Sequence, residues 1–432
     1  MGSENMSGVR GVDRRTLLLG AGTGVTAAAA AGLVAASPAE ASEHVPHHYG
    51  RARAPFGRRD GFVTVRGGGF RLDGKPWRFG GTNCYYLHEK SHYMIDSMLN
   101  DAAQMQLQVV RAWAFNDSDD PAKATTALQT APGVYPEANY DSLDYAVAKA
   151  GELGLKLVLP LVNNWPDYGG MPQYVKWVLG LPDDSYADAV NHDRFYTDAR
   201  IRKVFLAYVD HVLNRRNRYT GLRYRDDPTI MTWELANEPR NRSDKTGAAV
   251  KAWADAVSKH IKRAAPKQLV AVGDEGMGLD AASSDYGYST YEGDRWKELT
   301  ALPAIDYGTF HSYPQGWGKA DPVAWGTGWI TAHAAAAKAL GKPIVLEEFG
   351  LVTQTVNGID PKGVTPASRD AAYGAWLDTA QSSGVAGTQF WILTARQDDG
   401  TLYPDYDGYR VVYPSSTAAI MTAHAQSIAA AV

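Results

Sequence analysis

The sequence predicts one (β/α)₈ barrel that carries a small β-ribbon before its first strand and extended loops at the carboxyl ends of its strands. Two observations lead to this fold class. After residue 60, short apolar runs alternate with helical patterns until eight such units are complete, and no second change in composition marks another domain. Acidic, amide and aromatic residues also follow several apolar runs, which is where such barrels place functional side chains.

The bulk composition narrows the classes of partner. The 432 residues are 45% hydrophobic and include 12 Trp and 24 Tyr, enough for a large core with aromatic side chains to spare. The formal charge is −4 and no basic stripe follows the amino-terminal tail, so nucleic acid is not an expected partner. Cys84 is the single cysteine, which excludes an intramolecular disulfide and a thiolate metal cluster; we expect it to pack in the first barrel strand.

The amino terminus reads as a targeting segment. Arg14-Arg15 precedes a weakly apolar stretch rich in Ala and Gly, and Ala39-Glu40-Ala41 matches a signal-peptidase site before Ser42. Residues 1–41 are therefore predicted to be a twin-arginine signal peptide, with an uncleaved membrane anchor as the alternative. Residues 42–60 contain few apolar side chains and are predicted to form a flexible linker, and residues 61–432 the barrel.

The elements of the barrel follow from the apolar periodicity. The ribbon is expected at 62–65, 69–72 and 77–79, where apolar residues flank turn residues. Eight strand candidates follow, at 80–86, 109–113, 155–162, 230–235, 269–272, 307–311, 344–346 and 388–393. Helical patterns between them include 141–153, 201–215, 248–264, 325–340 and 368–383.

Two connections, 165–199 and 275–304, are longer than loops in compact domains usually are. Each follows a predicted strand, so we expect both at the carboxyl-end face, where they would wall a cleft. The acidic run Asp117-Ser118-Asp119-Asp120 lacks the glycine and the final glutamate of an EF-hand calcium loop, and it is expected to begin a helix before Pro121.

Glu238 and Glu348 each close a predicted barrel strand and are the leading candidates for reactive groups. A single glutamate at such a position more often caps a helix or forms an ion pair. Two carboxyl groups in one site can instead cleave a glycosidic bond, with retention at a separation of about 5 to 5.5 Å and with inversion when the gap admits a water. Side chains at other strand ends favour one shared site: Asn237, His311, Tyr313 and Trp391.

Two further glutamates stand near these candidates. Glu347 adjoins Glu348, and successive side chains of a strand point to opposite faces, so we expect Glu347 to face the helices and to be paired there. Glu234, four residues before Glu238, is expected to have the same structural role.

Several motifs resemble glycoside hydrolase family 5. They are Arg111-Ala112-Trp113, the segment 233–240 that contains Asn237-Glu238, Phe310-His311-Ser312-Tyr313-Pro314, Glu348-Phe349-Gly350 and Trp391. More narrowly, the segments 80–83, 111–117, 163–165 and 224–230 resemble the endo-β-1,4-mannanases of plants and fungi. Asn163-Asn164-Trp165 replaces the histidine that family 5 cellulases commonly have after the third strand, which favours mannan over cellulose.

The resemblance implies a role for each matching residue. Glu238 would be the general acid/base and Glu348 the nucleophile, while Arg111 would keep Glu348 ionised through its charge. Tyr313 would donate a hydrogen bond to the nucleophile, and His311 would orient the acid/base.

The same resemblance implies a set of sugar-binding side chains. Asn237 would bond the 2-hydroxyl of the sugar, and Trp113 and Trp391 would offer apolar faces to a pyranose ring at the cleaved bond. Trp165 falls on a long loop, where it could stack on a sugar or simply pack.

The implied activity is that of a secreted, retaining endo-β-1,4-mannanase acting on mannan, glucomannan and galactomannan. Another family 5 glycanase, either a cellulase or an exo-β-mannosidase, is the first alternative. A non-catalytic carbohydrate-binding barrel is the second, although binding alone would not need both carboxylates. No metal and no cofactor is expected, the mature chain is expected to be a monomer without stable membrane association, and β-mannan is the expected partner.

Overall fold

Eight parallel strands wind into a barrel in the computed structural model, which describes residues 61–182 and 189–431. The strands are β4 (Phe79–Asn83), β5 (Val109–Arg111), β6 (Lys156–Pro160), β7 (Ile230–Glu234), β8 (Leu269–Ala271), β9 (Gly308–Ser312), β10 (Ile344–Phe349) and β11 (Gly387–Phe390). The sheet order is β8-β7-β6-β5-β4-β11-β10-β9, and the Asp306 amide closes the seam between β8 and β9 by donating to the Val270 carbonyl at 2.8 Å. All eight predicted strands are confirmed. The predicted signal peptide and linker lie outside the described residues.

The predicted ribbon is also confirmed and covers the amino ends of the barrel strands. It is an antiparallel sheet of β1 (Thr64–Arg66), β2 (Gly69–Leu72) and β3 (Lys75–Trp77). The ring of Phe70 lies 6.0 Å from that of Phe79 and 5.2 Å from that of Tyr307, within a small apolar cluster that draws side chains from most barrel strands. Because this end is filled, a ligand can reach the barrel only from the carboxyl ends of its strands.

Helices surround the strands on the outside. The five predicted helices are confirmed as Asp141–Glu152, Ala199–Asn214, Ala248–Ala264, Pro322–Leu340 and Pro366–Ser383. Further helices that were not predicted are His92–Gln104, Gly170–Leu179, Ala189–His192, Arg194–Thr197, Trp296–Thr300 and Ser416–Ala430. Within the described residues, none of the helices combines the length and the apolar character that crossing a membrane requires.

The connection 165–199 was expected as a loop, and the structure corrects this by placing three of those helices in it. Gly169 and Gly170 both have positive φ, at 84° and 59°, and a Cβ on Gly169 would lie 1.8 Å from the Asp117 carbonyl oxygen. Two adjacent glycines read as a loop in sequence, but here they allow a close backbone crossing from which a helix then starts. The acidic run behaves as expected, since Asp120 caps a short 3₁₀ helix at Pro121–Lys123.

Tight packing between strands and helices explains why small residues recur in the strands. A Cβ on Gly387 of β11 would lie 2.2 Å from the ring of Phe79 on the neighbouring strand β4. Cys84 follows β4 and is fully buried, as predicted for a packing residue, and burial raises the pKa of its thiol to about 12. The thiol is therefore protonated at physiological pH and is unsuited to nucleophilic chemistry.

Candidate active site

Glu238 lies at the carboxyl end of β7, in a backbone conformation that few side chains adopt. Its φ is +52°, in the left-handed region, and its amide donates to the Gly273 carbonyl at 2.8 Å while the amide of Asn237 donates to the Val162 carbonyl at 2.7 Å. Hydrogen bonds to the strands on both sides therefore hold this turn in place. Such strained positions cost of order 1–3 kcal/mol and cluster at functional sites.

The Glu238 carboxylate is fully buried and is held at both oxygens. Nδ1 of His311 lies 2.7 Å from its Oε1, and the indole Nε1 of Trp165 donates to its Oε2 at 2.7 Å. His311, which was predicted to orient this carboxylate, contacts it directly. Trp165 was expected either to stack on a sugar or to pack; its ring nitrogen points at the carboxylate, and the guanidinium of Arg240 lies 5.0 Å from its ring.

Glu348 lies in β10 and has a different set of neighbours. Nη1 of Arg111 donates to its Oε1 at 2.6 Å, and the Tyr313 hydroxyl donates to its Oε2 at 2.8 Å. The structure thus brings Arg111 and Tyr313 into contact with Glu348. Two donors from neighbouring residues therefore fix the position of the Glu348 carboxylate.

The two carboxylates meet around one imidazole. Nδ1 of His311 lies 2.7 Å from Glu238 and 3.7 Å from Oε2 of Glu348, and one oxygen of each carboxylate lies within 4.8 Å of the other and of the ring. Such a spacing could also suit a metal ion. Arg111 and Trp165 already direct donors at these carboxylates, so their chemistry fits an ion-pair network better than a metal centre.

Arg111 connects the two halves of this network. Besides Glu348, its guanidinium donates to Oδ1 of Asn83 at 3.2 Å, to Oδ1 of Asn237 at 2.8 Å and to Oε2 of Glu234 at 2.8 Å. Asn237 in turn donates through Nδ2 to Oδ1 of Asn163 at 3.0 Å. These bonds fix the orientation of the Asn237 amide, and its second N–H group is the one that could reach a sugar hydroxyl.

Glu234 and Glu347 do not face the helices, contrary to the expectation from strand alternation. Oε2 of Glu347 lies 3.4 Å from Nε2 of His311 and 3.7 Å from Nε of Arg111, so both glutamates reach the same buried cluster. The register between β10 and β9 shifts between Leu346 and Glu348, which leaves Glu347 in a β-bulge. A bulge breaks strict alternation and lets two consecutive side chains enter one site.

The carboxylates around His311 change its protonation. Burial alone would lower the pKa of its imidazole, but the charge of Glu348 and the hydrogen bonds to Glu238 and Glu347 outweigh burial and raise the pKa to about 10. The ring therefore carries a positive charge at neutral pH and can donate from both nitrogens. Arg111 likewise has a raised pKa in spite of its burial, because Glu234, Glu347 and Glu348 surround it.

The two aromatic residues that were predicted to face the sugar, Trp113 and Trp391, both pack against Tyr85. Trp391, whose peptide bond to Ile392 is cis, donates from Nε1 to Oδ2 of Asp407 at 2.6 Å. Tyr85 stacks on Trp391 with ring centres 5.6 Å apart and lies 5.3 Å from Trp113. Neither Tyr85 nor Asp407 was predicted to belong to the site. Tyr85 falls within the predicted strand 80–86, and Asp407 falls in a loop without a recognisable motif.

Comparison with known proteins places this site in a family. The family model described as "GH family 5 beta-mannosidase-like" matches residues 60–406. The chain belongs to glycoside hydrolase family 5. This family 5 chain is 37% identical to mannan endo-1,4-β-mannosidase F of Aspergillus fumigatus, over 76% of the chain and 70% of that relative. It is 35% identical to mannan endo-1,4-β-mannosidase 1 of Oryza sativa subsp. japonica, over 88% of each protein.

A solved structure agrees with this assignment. The endo-β-1,4-mannanase of Thermotoga petrophila superposes with a TM-score of 0.75 at 39% identity, covering 83% of the family 5 chain and 78% of that structure. The predicted (β/α)₈ fold and the predicted glycoside hydrolase class are thereby confirmed.

Proposed function

We propose that this family 5 protein is a retaining endo-β-1,4-mannanase that hydrolyses mannan, glucomannan and galactomannan. The observation that carries the proposal is the asymmetric pair of carboxylates: Glu348 is held by Arg111 and Tyr313, whereas Glu238 is held by Trp165 and His311. The names of the similar mannan endo-1,4-β-mannosidases support the choice of substrate.

The separation of the carboxylates supports retention of anomeric configuration. One oxygen of Glu238 lies within 4.8 Å of one oxygen of Glu348, whereas inverting enzymes need a gap of about 6.5–9.5 Å to seat a water between the two groups. The nucleophile can therefore contact the anomeric carbon while the acid contacts the glycosidic oxygen. The alternative of inversion would require a rearrangement of both carboxylates.

The proposed reaction has two steps. In the first, Glu348 attacks the anomeric carbon as Glu238 gives its proton to the leaving glycosidic oxygen, so one C–O bond breaks and a glycosyl ester forms. In the second, Glu238 removes a proton from water as that water attacks the same carbon and Glu348 leaves. Asn237, whose side chain is held by Arg111 and Asn163, would bond the 2-hydroxyl, where bonds that tighten in the transition state contribute most.

The test of the substrate compares two activities on two polymers. We expect galactomannan to lose viscosity early while few reducing ends appear, and carboxymethylcellulose to be attacked more slowly by orders of magnitude, because a site built for an axial 2-hydroxyl leaves polar groups unpaired with glucose. Glu348→Ala serves as the inactive control. Faster attack on the cellulose derivative would indicate a cellulase, and sugar release without viscosity loss an exo-β-mannosidase.

The stereochemistry is tested separately by proton NMR of the first product. A β-anomer supports double displacement, and an initial α-anomer would exclude it. If the folded protein bound mannan without releasing any reducing sugar, the non-catalytic carbohydrate-binding alternative would stand instead.

We also propose that the protein is exported through the twin-arginine pathway and cleaved before Ser42. Arg14-Arg15 and Ala39-Glu40-Ala41 support this. Replacement of both arginines by lysine should retain the precursor inside the cell, and amino-terminal sequencing of the secreted protein should begin at Ser42. Secreted protein that still begins at Met1 would contradict cleavage.

A further inference from the structure

Glu234 and Glu347 form a second carboxyl pair directly beside the proposed catalytic pair. Both side chains are fully buried, and an oxygen of each lies near Nε of Arg111, at 2.8 Å for Glu234 and 3.7 Å for Glu347. A side-chain hydrogen bond between the two carboxyl groups contributes to the pKa shift of each. Oε1 of each has no hydrogen-bond donor among the described residues. Two carboxyl groups in contact can satisfy these oxygens when one of them is protonated and donates to the other.

We propose that Glu234 and Glu347 share one proton and act as positioning residues, presenting a single negative charge to His311 and Arg111. Glu347 contacts Nε2 of His311 at 3.4 Å, and Glu234 accepts from Nε of Arg111 at 2.8 Å. Through these two cations the pair reaches both proposed catalytic groups, because His311 contacts Glu238 and Arg111 contacts Glu348.

The Glu234–Glu347 pair is expected to hold one proton because two buried carboxylates in contact would repel each other if both were ionised. Two like charges in contact cannot both ionise at ordinary pH when burial removes their hydration. Burial, opposed by Arg111 but reinforced by Glu347, raises the pKa of Glu234 well above its usual range. Burial would also raise the pKa of Glu347, but Arg111, Glu234 and His311 hold it below its usual value.

The shared proton also balances the charge of the proposed reaction on which this inference rests. Arg111 and His311 supply two positive charges, and the Glu234–Glu347 pair and Glu348 supply two negative charges while Glu238 holds its proton. In the glycosyl-enzyme, Glu348 is an uncharged ester and Glu238 is ionised, so the sum is still zero. A second charge on the pair would leave one uncompensated charge in a buried site at both stages, which is costly.

Other titratable groups surround the pair. Besides the four residues of the catalytic network, its neighbours are Tyr307, which precedes β9, and Asp274, which follows β8. Burial raises the pKa of Tyr307 well above its usual range and raises that of Asp274 to about 8. Both are therefore mainly neutral near pH 7 and add no further negative charge to the site.

The proposal predicts a non-additive pattern among amide variants. In Glu234→Gln or Glu347→Gln the remaining carboxyl group ionises, so one negative charge is kept and the pH limits of kcat/KM change little. In the double variant the charge is lost. Removal of a negative charge lowers the pKa of every neighbouring acid, so both limbs of the profile should move to lower pH by about one unit.

The matched control is Asp144→Asn. Asp144 is another fully buried carboxylate, paired with Arg215 at 2.7 Å on the outside of the barrel, and its loss should lower stability without moving the pH profile. Equal shifts in the two single variants that add in the double variant would mean two ionised carboxylates and would overturn the proposal. A double variant that behaves as Asp144→Asn, with lower stability and an unmoved profile, would overturn it as well.

Infrared difference spectroscopy tests the shared proton without relying on turnover. The band of a protonated carboxyl group should be present in the native protein and weaker in each single variant, because the remaining carboxyl group is ionised. An unchanged band in both single variants would refute the shared proton even in an active enzyme. A native protein inactive on mannan would refute the proposed function instead. The infrared result would still test the shared proton independently of that outcome.

Discussion

The indole nitrogen of Trp165 donates a hydrogen bond to Oε2 of Glu238 at 2.7 Å. Trp165 follows β6 and Glu238 follows β7, so the bond joins two neighbouring strands at the carboxyl end of the barrel. An indole has a donor and no acceptor. Trp165 can therefore stabilise the ionised form of Glu238 but cannot accept its proton.

Replacement of Trp165 by Phe removes this donor while keeping an aromatic ring. The ionised form of Glu238 then loses one charge-assisted bond, so the proton should leave it at higher pH. We expect the basic limb of the kcat/KM profile to move up by roughly half to one pH unit, which corresponds to a net bond of about 1 kcal/mol.

Trp177→Phe is the matched control for this change. Trp177 lies on the helix Gly170–Leu179, and its indole nitrogen has no hydrogen-bond partner among the described residues. The Trp177→Phe variant should show the same pH profile of kcat/KM as the native protein. If Trp165→Phe raised KM for long substrates without moving the basic limb, Trp165 would be acting as a sugar platform instead.

Replacement of Glu238 by Gln removes the proposed proton donor and keeps the shape of the side chain. Departure of a sugar needs protonation, whereas departure of an activated phenol needs little. We expect a loss of roughly 10²–10⁴ in kcat on mannan-derived oligosaccharides and a much smaller loss in the first step with an activated aryl β-mannoside. The measurement is the ratio of the two losses, and equal losses on both substrates would argue against an acid role.

Sequence reasoning succeeded where the signal was periodic or repeated. β6 is buried along its whole length, and its sequence is apolar after Lys156, as expected for a strand covered on both faces. It failed where local geometry broke the period. The bulge at Glu347 turned a side chain inward that alternation had assigned outward. The two glycines at the start of the helix Gly170–Leu179 hid its first turn, since glycine there permits a close crossing of two backbones.

The candidate site shows the same contrast between features that the sequence predicts and features that it does not. Strand ends located Glu238, Glu348, Arg111, His311 and Tyr313, because parallel strands of a barrel present their carboxyl ends at one face. Which atom of a side chain meets which partner depends on rotamers and loop paths that carry no sequence period. The sequence therefore did not predict the hydrogen bond from the Trp165 indole to Glu238 or the one from the Trp391 indole to Asp407.

Arg111→Lys tests whether a charge alone suffices at the centre of the network. Lysine keeps the charge but cannot reproduce the separate bonds to Glu348, Asn237 and Glu234. We expect kcat to fall by roughly 10²-fold or more, and stability to fall by about 3 kcal/mol because buried acceptors lose their partner. Thermal unfolding and kinetics are measured on the same preparation. Native kinetics in the lysine variant would mean that only the charge matters.

Acid sensitivity of the fold should depend in part on His424. The ring is buried against β11, with Nε2 2.9 Å from the hydroxyl of Thr388, and burial lowers its pKa to about 4, although Asp378 opposes the shift. In the unfolded chain a histidine has a pKa of about 6.5, so the unfolded form binds a proton first as the pH falls. The free energy of unfolding therefore declines between about pH 6.5 and about pH 4, by about 3 kcal/mol from this group. His424→Gln removes the titration while retaining a side chain that can bond Thr388. The free energy of unfolding measured with urea should therefore differ less between about pH 7.5 and about pH 4.5 in this variant than in the native protein.

Thr388→Val is the control for His424→Gln. It removes the hydrogen bond but keeps the histidine, so it should lower stability while preserving the loss of stability on acidification. If His424→Gln lost as much stability on acidification as the native protein, His424 would not be the group responsible.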